Sequence, residues 1–409
     1  MKIAQIAPLA ERVPPKLYGG TERIVHCLTE ELVRLGHDVT LFASGDSLTS
    51  AELVPCSQVA LRLNADVIDF LPHHVVMLEE VRRRAQEFDV LHFHIDLLHF
   101  PLVRDFADRT VTTLHTRLDL LDLQPFYRLF TDIPVVSISD DQRRPVPPIN
   151  WRGTVYHGLD EAVLPFTGKP AGNYLAFLGR ISPEKGPDRA IEIATQTGMT
   201  LKIAAKVDKA DRPYWESVVQ PMIASHPNVE FVGEIDEHQK AEFLGNAAAL
   251  LFPINWPEPF GLVMIEAMAC GTPVLGFRYG SAPEVIEDGV SGILVDWVEE
   301  AVARMDEVLR LDRRRVRAAF ERRFTTERMT RDYLEIYRNL PGLRTESSAT
   351  RAAASDRIGL EVAHQPWRTA VESASPLAER SKSRGAIPVV LDNPKTIGPE
   401  QPRGGRPGQ

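Results

Sequence analysis

The sequence is poor in cysteine, with only Cys27, Cys56 and Cys270 among its 409 residues. These three are far apart and odd in number, so they form neither a disulfide framework nor the paired spacing of a zinc site. We predict that they are buried free thiols in a reducing compartment, because disulfides persist mainly in oxidising ones.

Long apolar runs are also missing. No stretch approaches the roughly 18 apolar residues that a membrane-spanning helix needs. The first apolar stretch is short and is broken at Pro8, which does not fit a signal peptide. We therefore expect a cytoplasmic protein that, at most, rests on the inner face of a membrane.

Positive charge is in deficit, since 47 basic residues face 56 acidic ones and the net charge is −9. Nucleic-acid binding requires a clustered basic surface that neutralises phosphates, so we exclude nucleic acid as the main partner. Hydrophobic residues make up 44% and charged residues 25% of the chain, which is typical of globular proteins.

Residues 341–409 differ from the rest of the chain. They contain eight prolines with scattered Ser, Gly and Arg, and they show no sustained hydrophobic periodicity. Such a composition cannot bury enough apolar surface to offset the entropy of ordering. We predict that this segment is a disordered C-terminal tail.

Short apolar runs alternate with helical patterns through residues 1–340, in two series of six strand candidates. The strand candidates are 2–7, 38–42, 89–94, 110–115, 134–139 and 153–157, then 174–178, 200–205, 229–232, 249–253, 273–276 and 292–295. Strands that alternate with helices predict parallel sheets covered on both faces. The fold class is therefore α/β, with two doubly wound, Rossmann-like domains facing a central cleft.

The domain boundaries follow from this rhythm and from a Pro- and Gly-rich stretch near 161–172. We predict an N-terminal domain over 1–165 and a C-terminal domain over 166–325. A last helix over 326–340 is predicted to cross back to the N-terminal domain, and the tail follows. The cleft between the domains is the expected ligand site.

In each series, the loop that follows the first strand carries residues suited to binding anions. Gly19 and Gly20 open a helix, where backbone can approach a ligand closely. In the second series, Arg180 and Lys185 flank a turn and would suit a diphosphate. A plain strand-to-helix loop and a pair of solvated cations are the alternatives.

The most informative string runs over 258–274. Glu258 precedes a predicted helix, and Glu266 lies about two turns inside it among apolar residues. A buried carboxylate is costly unless it is hydrogen-bonded, and sugar hydroxyls are suitable donors. Backbone N–H groups at the start of this helix are suited to a phosphate.

With these motifs, and with Gly36-His37-Asp38-Val39, residues 1–340 resemble a family-4 retaining glycosyltransferase of the GT-B fold. The resemblance implies transfer of a sugar, by default a hexose from UDP-hexose, to an unknown acceptor hydroxyl. The implied partners are a nucleotide-sugar donor and a carbohydrate or lipid-linked acceptor. The implied chemistry needs no cofactor and no metal.

The resemblance also implies roles for individual residues. Arg180 and Lys185 hold the diphosphate, Glu266 holds the ribose hydroxyls, and Glu258 contacts the donor sugar. His115, at a strand end, contacts the donor sugar or positions the acceptor. The implied catalytic set is His115, Arg180, Lys185 and Glu258, and the implied donor site is Gly19, Gly20, Arg180, Lys185, Lys206, Glu258, Phe260, Gly261, Leu262 and Glu266.

Lys206 enters this set through a departure from the family pattern. The family usually has a Gly-Asp-Gly turn after the second strand of the donor domain, and here 204–208 reads Ala-Ala-Lys-Val-Asp. We expect Lys206 to join the phosphate-binding residues. An ordinary surface lysine is the alternative.

Other functions remain open at this point. His92 and His94 project to one face of a strand and, with Asp96, resemble ligands of a metal-dependent hydrolase. Without a metal, the two histidines are candidates for the acceptor side of the cleft. A sugar-nucleotide epimerase or a phosphorylase would share the donor residues.

A basic run late in the chain bears on membrane contact. Its members are Arg313, Arg314, Arg315, Arg317, Arg322 and Arg323. The run is predicted to be a solvated helical face, and the alternative is a peripheral contact with anionic lipid.

Overall fold

The computed structural model describes residues 1–16, 19–62 and 64–345. In this part the chain forms two parallel β-sheets. The strands of the first sheet are β1 Lys2–Ile6, β2 Asp38–Ser44, β3 Glu52–Ser57, β4 Val90–Phe93, β5 Thr110–Thr113, β6 Val135–Ser137 and β7 Trp151–Thr154. The strands of the second are β8 Tyr174–Arg180, β9 Thr200–Lys206, β10 Val229–Gly233, β11 Ala249–Phe252, β12 Val274–Phe277 and β13 Gly292–Val295.

Helices connect these strands. They are α1 Gly20–Arg34, α2 Leu71–Arg84, α3 Leu123–Leu129, α4 Pro187–Thr197, α5 Arg212–Tyr214, α6 Gln220–Ser225, α7 Glu237–Gly245, α8 Leu262–Ala269, α9 Ala282–Val285, α10 Val298–Ala303, α11 Met305–Leu309, α12 Arg313–Arg323, α13 Thr326–Arg338 and α14 Pro341–Thr345. A π-helical turn, Trp215–Val219, joins α5 to α6. Short 3-10 turns occupy Ala85–Glu87, Phe100–Leu102, Arg104–Arg109, Asp141–Arg143 and Lys209–Asp211.

Both sheets are doubly wound, which confirms the predicted fold class. The first has the order β3-β2-β1-β4-β5-β6-β7 and the second the order β10-β9-β8-β11-β12-β13, all in parallel pairs. In each sheet the order reverses beside the first strand, between β1 and β4 and between β8 and β11. Ligands of such sheets bind at the carboxyl ends of the strands on either side of that reversal.

Helix α1 illustrates why the local sequence folds as it does. Ile24, Leu28 and Leu32 recur at helical spacing and are fully buried. The helix ends at Gly36, whose φ of +81° lets its N–H bond to the carbonyl of Val33 at 2.9 Å, while the next N–H bonds to that of Leu32. Gly36 therefore occupies the position just after the helix where glycine is favoured.

One strand of the first sheet, β3, escaped prediction. It contains Pro55, lies at the edge of the sheet and is only partly buried, so it lacks both the alternation and the apolar run that mark a strand. Residues 297–309 have the helical pattern of a single element, but they form two helices, because α10 and α11 are separated at Arg304.

Helix α13 packs on α1 of the first half. Its residues Tyr333 and Tyr337 are fully buried, and one core cluster includes them together with Ile24 of α1 and Met264 of α8. The two halves of the described chain therefore share a hydrophobic core. The domain boundaries given above stay a prediction.

The first five residues of the predicted tail are ordered, because they form α14. The remainder, 346–409, lies outside the described residues. Among the residues described, no helix combines the length and the apolar character needed to cross a membrane.

Half of the basic run is exposed as predicted, and the other half is partly buried, which corrects its interpretation as a wholly solvated face. Arg313, Arg317 and Arg323 donate hydrogen bonds to backbone carbonyls of neighbouring segments. These guanidinium groups therefore fasten α12 to the elements around it. Arg314, Arg315 and Arg322 are the exposed members of the run.

Candidate active site

A cleft of about 620 Å³ opens between the carboxyl ends of the two sheets. Its walls come from both halves of the chain, as the reversal of strand order predicts. Every residue predicted for the donor site lines it: Gly19, Gly20, Arg180, Lys185, Lys206, Glu258, Phe260, Gly261, Leu262 and Glu266. His115 lines it as well, whereas His92 and His94 do not.

Three cations lie on the second-half wall. Arg180 ends β8 and binds Asp211 at 2.7 Å and Glu184 at 2.5 Å. Lys206 ends β9, and its ammonium group lies 2.5 Å from Asp208. Because β8 and β9 are neighbours in register, these two cations end side by side, Arg180 opposite Lys206. This wall concentrates positive charge at one end of the cleft.

The third cation, Lys185, is paired with Glu258, and its ammonium group also lies 4.9 Å from the centre of the Trp256 ring. Both backbone polar groups of Glu258 are hydrogen-bonded: its N–H donates to the carbonyl of Trp256, and its carbonyl accepts from the N–H of Ser281. Glu258 is thus a rigidly mounted carboxylate whose present partner is a cation of the same site.

Helix α8 begins beside this pair without a side-chain cap, so its first N–H groups are available to a ligand. Gly261 precedes it with a φ of +75°, and an added Cβ would come within 2.8 Å of Met264 and Phe252. From the opposite wall Gly20 faces this helix start, because a Cβ there would lie 3.1 Å from Leu262. The two predicted glycine positions therefore form the two sides of the narrowest approach.

Glu266 is buried inside α8, and one oxygen, Oε1, receives both Lys240, at 2.7 Å, and Arg23. Burial by itself would raise the pKa of this carboxyl, but the charges and hydrogen bonds of Lys240 and Arg23 outweigh it and lower the pKa. Glu266 is therefore an ionised carboxylate, and Oε2 carries no hydrogen bond from the described residues.

Sequence reasoning missed Arg23 and Lys240. Arg23 lies in the first turns of α1, three residues after Gly20, and also pairs with Glu237. Because α1 belongs to the first half and Glu266 to the second, this ion pair spans the cleft. The position of Arg23 next to the Gly-Gly loop was the one local signal that could have found it.

His115 follows β5 and sits among other rings. Its Nε2 lies 2.9 Å from Nδ1 of His94, and its ring stacks on that of His157 with centres 5.3 Å apart. Burial lowers the pKa of His115 to about 3, so the ring is neutral at physiological pH.

His92 and His94 lie beneath the cleft floor rather than on it. Both are fully buried, and their ring nitrogens bond to Tyr337, Thr113, Gln5 and His115. Asp96 accepts from the backbone of His115 and from Thr116. Within the described residues no group of three His, Cys, Asp or Glu side chains is placed to hold a metal ion, which disfavours the hydrolase alternative.

A second acidic pair, also missed, lines the first-half wall. Glu11 is paired with Arg62, and Glu22 lies in the first turn of α1. Burial raises the pKa of Glu22 to about 7 and raises that of Glu11 as well. This wall thus carries carboxyl groups together with Arg23 and Arg62, a mixture of hydrogen-bond acceptors and donors that suits polyhydroxylated ligands.

Two family models match the chain. The model described as Glycosyl transferases group 1 matches residues 165–323, and the model described as Glycosyltransferase Family 4 matches residues 18–144. The first spans all six strands of the second sheet, and the second spans β2 to β6 of the first sheet.

Individual proteins agree with these matches. The chain is 29% identical to a D-inositol 3-phosphate glycosyltransferase of Acidothermus cellulolyticus, with 83% of this chain and 90% of that protein aligned. Among solved structures it resembles sucrose-phosphate synthase of Thermosynechococcus elongatus, with a TM-score of 0.67, 20% identity, and 83% and 99% of the two chains covered. It also resembles Anabaena HepE in complex with UDP and glucose, with a TM-score of 0.62, 19% identity, and 82% and 98% covered.

Proposed function

Because this chain is a glycosyltransferase of family 4 with the GT-B fold, we propose that it moves a hexosyl group from a nucleotide-diphosphate sugar to an acceptor hydroxyl, with retention of configuration and without a metal ion or other cofactor. The observation that carries this proposal is the set of groups on the second-half wall of the cleft. Three cations and an uncapped helix start lie on one wall, with two buried carboxylates beside them.

The diphosphate of the donor belongs with Arg180, Lys185 and Lys206. Each of these cations has a carboxylate partner in the structure, so donor phosphate oxygens would take over part of their coordination. Exchange at Lys185 has a second effect, because it releases Glu258 to accept hydrogen bonds from the hydroxyl groups of the donor sugar.

The nucleoside belongs with Glu266. Its free oxygen, Oε2, is suited to accept hydrogen bonds from the ribose hydroxyls, while Oε1 stays held by Arg23 and Lys240. For the donor we take UDP-hexose as the default. HepE, whose fold this chain shares, was crystallised with UDP and glucose.

The chemical step is a same-face displacement. The acceptor oxygen bonds to the anomeric carbon as the bond from that carbon to the phosphate oxygen breaks, and the acceptor proton passes to the departing phosphate. The barrier depends on stabilising negative charge on the leaving diphosphate, which the three cations and the α8 N–H groups are placed to do without a metal. Trapping of a covalent sugar adduct on Glu258 with a fluorinated donor would contradict this route.

The acceptor is a carbohydrate or a lipid-linked glycan that enters along the first-half wall. A lipid-linked acceptor would fit a peripheral membrane contact through the exposed Arg314 and Arg315. Flotation with vesicles containing anionic lipid tests this contact: binding that survives replacement of both arginines by Glu would remove it from the proposal.

Donor turnover tests the central proposal. Purified full-length protein is offered UDP-, GDP- and ADP-sugars with and without EDTA, and release of nucleoside diphosphate is followed. We expect release from one donor, unchanged by EDTA and reduced at least about 100-fold by Lys185→Ala, the usual cost of a lost charge-stabilising group. Glu266→Ala should also reduce release, because it removes the proposed acceptor of the ribose hydroxyls.

The exposed ion pair of Lys202 and Glu230, 3.2 Å apart and outside the cleft, provides matched controls. Lys202→Ala and Glu230→Ala should leave turnover near the wild-type rate. Activity abolished by EDTA would overturn metal independence, and conversion of the donor without release of nucleoside diphosphate would instead indicate an epimerase.

A further inference from the structure

A buried chain of hydrogen bonds runs from the cleft to the first strand. His115 Nε2 lies 2.9 Å from His94 Nδ1, and His94 Nε2 lies 2.8 Å from Oε1 of Gln5. Gln5 is in β1, His94 follows β4 and His115 follows β5, so three adjacent strands bring these groups together.

The chain continues to helix α13. Nε2 of Gln5 donates to the hydroxyl of Tyr337 at 3.2 Å, and that hydroxyl lies 2.7 Å from Nδ1 of His92. His92 Nε2 in turn lies 2.8 Å from the hydroxyl of Thr113. Apart from His115, whose ring lines the cleft, all of these side chains are fully or almost fully buried.

Because the histidine rings of this chain are buried, the donor and the acceptor of each hydrogen bond can be assigned by counting protons. Burial lowers the pKa of His94 and of His115, so each ring is neutral and carries one N–H. A neutral ring donates from one nitrogen and accepts on the other. Fixing the proton on one ring therefore fixes it on the next.

The amide of Gln5 sets the direction. Because its NH₂ group is used on Tyr337, its oxygen Oε1 faces His94 and can only accept. His94 must then donate from Nε2 and accept on Nδ1, which requires His115 to donate from Nε2. The other nitrogen of His115, Nδ1, is left without a proton and has no partner among the described residues.

We propose that Gln5 and His94 are positioning residues that hold His115 in its Nε2-protonated tautomer, so that His115 offers the cleft a hydrogen-bond acceptor at Nδ1. An acceptor of this kind binds a sugar hydroxyl and does not donate to a phosphate. The tautomer follows from the hydrogen bonds alone. Only the identity of the bound hydroxyl, on the donor sugar or the acceptor, rests on the proposed function.

Nitrogen NMR measures the tautomer directly. Long-range ¹H–¹⁵N spectra of the histidine-labelled full-length protein, recorded without ligand, distinguish an Nε2–H ring from an Nδ1–H ring, and loss of signals in His115→Asn identifies His115. We expect Nε2–H for His115 and for His94. An Nδ1–H ring at His115 would overturn the proposal, whether or not the protein transfers sugar.

Gln5→Met tests the positioning role, since it removes both amide groups but keeps the side-chain length. We expect the two His115 tautomers to become mixed and kcat of transfer to fall about tenfold, equivalent to about 1.4 kcal/mol for one hydrogen bond. The donor KM should change less than kcat, because the diphosphate and ribose contacts are untouched.

Tyr333→Phe is the matched control. It removes a buried hydroxyl from the same helix and the same network, where Tyr333 bonds to Thr113 at 2.8 Å, but it leaves the bonds of Gln5 intact. It should preserve the His115 tautomer and kcat. A Gln5→Met protein with an unmixed tautomer, or with mixed tautomers and wild-type kcat, would refute the proposal.

Discussion

At the scale of single residues, the cleft shifts the pKa values of its carboxyl groups in opposite directions. Glu266 is kept ionised by two cations that outweigh its burial, whereas the carboxyl of Glu22 is buried with weaker compensation. The difference follows from neighbours: a carboxylate needs charge-assisted hydrogen bonds to remain charged in a place of low dielectric.

Glu22 should make stability depend on pH. Burial raises its pKa from 4.5 to about 7, partly opposed by backbone hydrogen bonds. Between these values the folded protein binds more protons than the unfolded chain, so the contribution of Glu22 to the free energy of unfolding is full below pH 4.5 and is lost as pH rises to 7. As the pH rises from 4.5 to about 8, the free energy of unfolding of Glu22→Gln should therefore increase by about 3 kcal/mol relative to that of the wild type, as measured by urea unfolding.

Glu30 on the same helix provides a control of opposite sign. Partial burial would raise its pKa, but hydrogen bonds from Ser50 and Thr49 outweigh this and lower it. Glu30→Gln should lose stability relative to wild type as pH rises through the acid range. If Glu22→Gln followed the same course, the carboxyl of Glu22 would be ionised in the folded protein.

At the scale of elements, the start of α8 depends on the conformation of one glycine. Gly261 combines a φ of +75° with two side chains in contact distance of any added Cβ. Gly36, at the end of α1, has a φ of +81° but nothing within 4 Å of such a Cβ. A side chain at either position would therefore be strained by the positive φ, but only at position 261 would its Cβ also be crowded.

Gly261→Ala should lower the free energy of unfolding by about 2–3 kcal/mol, because it adds steric overlap to an unfavourable φ. It should also weaken donor binding, since the N–H groups of α8 would move. Gly36→Ala should cost about 1 kcal/mol and leave donor binding unchanged. Urea unfolding and calorimetric titration with the donor found in turnover assays give both quantities, and equal losses in the two variants would contradict this account.

At the scale of the whole molecule, the two halves are joined on both sides of the cleft. Arg23 reaches Glu266 on one side. On the other, the carboxylate of Glu284 accepts from the backbone N–H groups of Asp140, at 2.7 Å, and Asp141, at 2.6 Å. Any movement that closes the cleft over a donor must either keep these cross-cleft hydrogen bonds and the ion pair or break them.

Glu284→Ala should release the second contact. We expect faster hydrogen exchange at the amides of Asp140 and Asp141 and a loss of about 1–3 kcal/mol in stability, the cost of removing the acceptor from paired backbone donors. Glu287→Ala, which removes only the exposed ion pair with Arg322, serves as the control and should change stability by less than about 0.5 kcal/mol. Unchanged exchange in Glu284→Ala would show that the halves are held without this carboxylate.

Prediction from sequence succeeded where local chemistry dominates. Parallel strands such as β11 are buried on both faces and appear as continuous apolar runs. The glycine loops and the string over 258–274 lie at strand ends, so their neighbourhood in the cleft followed from topology. Edge strand β3 failed because Pro55 and partial exposure remove its periodic signal.

The sequence alone determined the two-sheet architecture, the cleft and the residues that line its donor side, because strand order and strand ends place them whatever the details of packing. The tertiary structure decided which group each side chain meets. Arg23 and Glu266 are 243 positions apart, and Gln5 and Tyr337 are 332 apart. No local pattern encodes such pairs, yet the contact with Arg23 helps to keep Glu266 ionised, and the contact with Tyr337 sets the direction of the hydrogen bonds that end at His115.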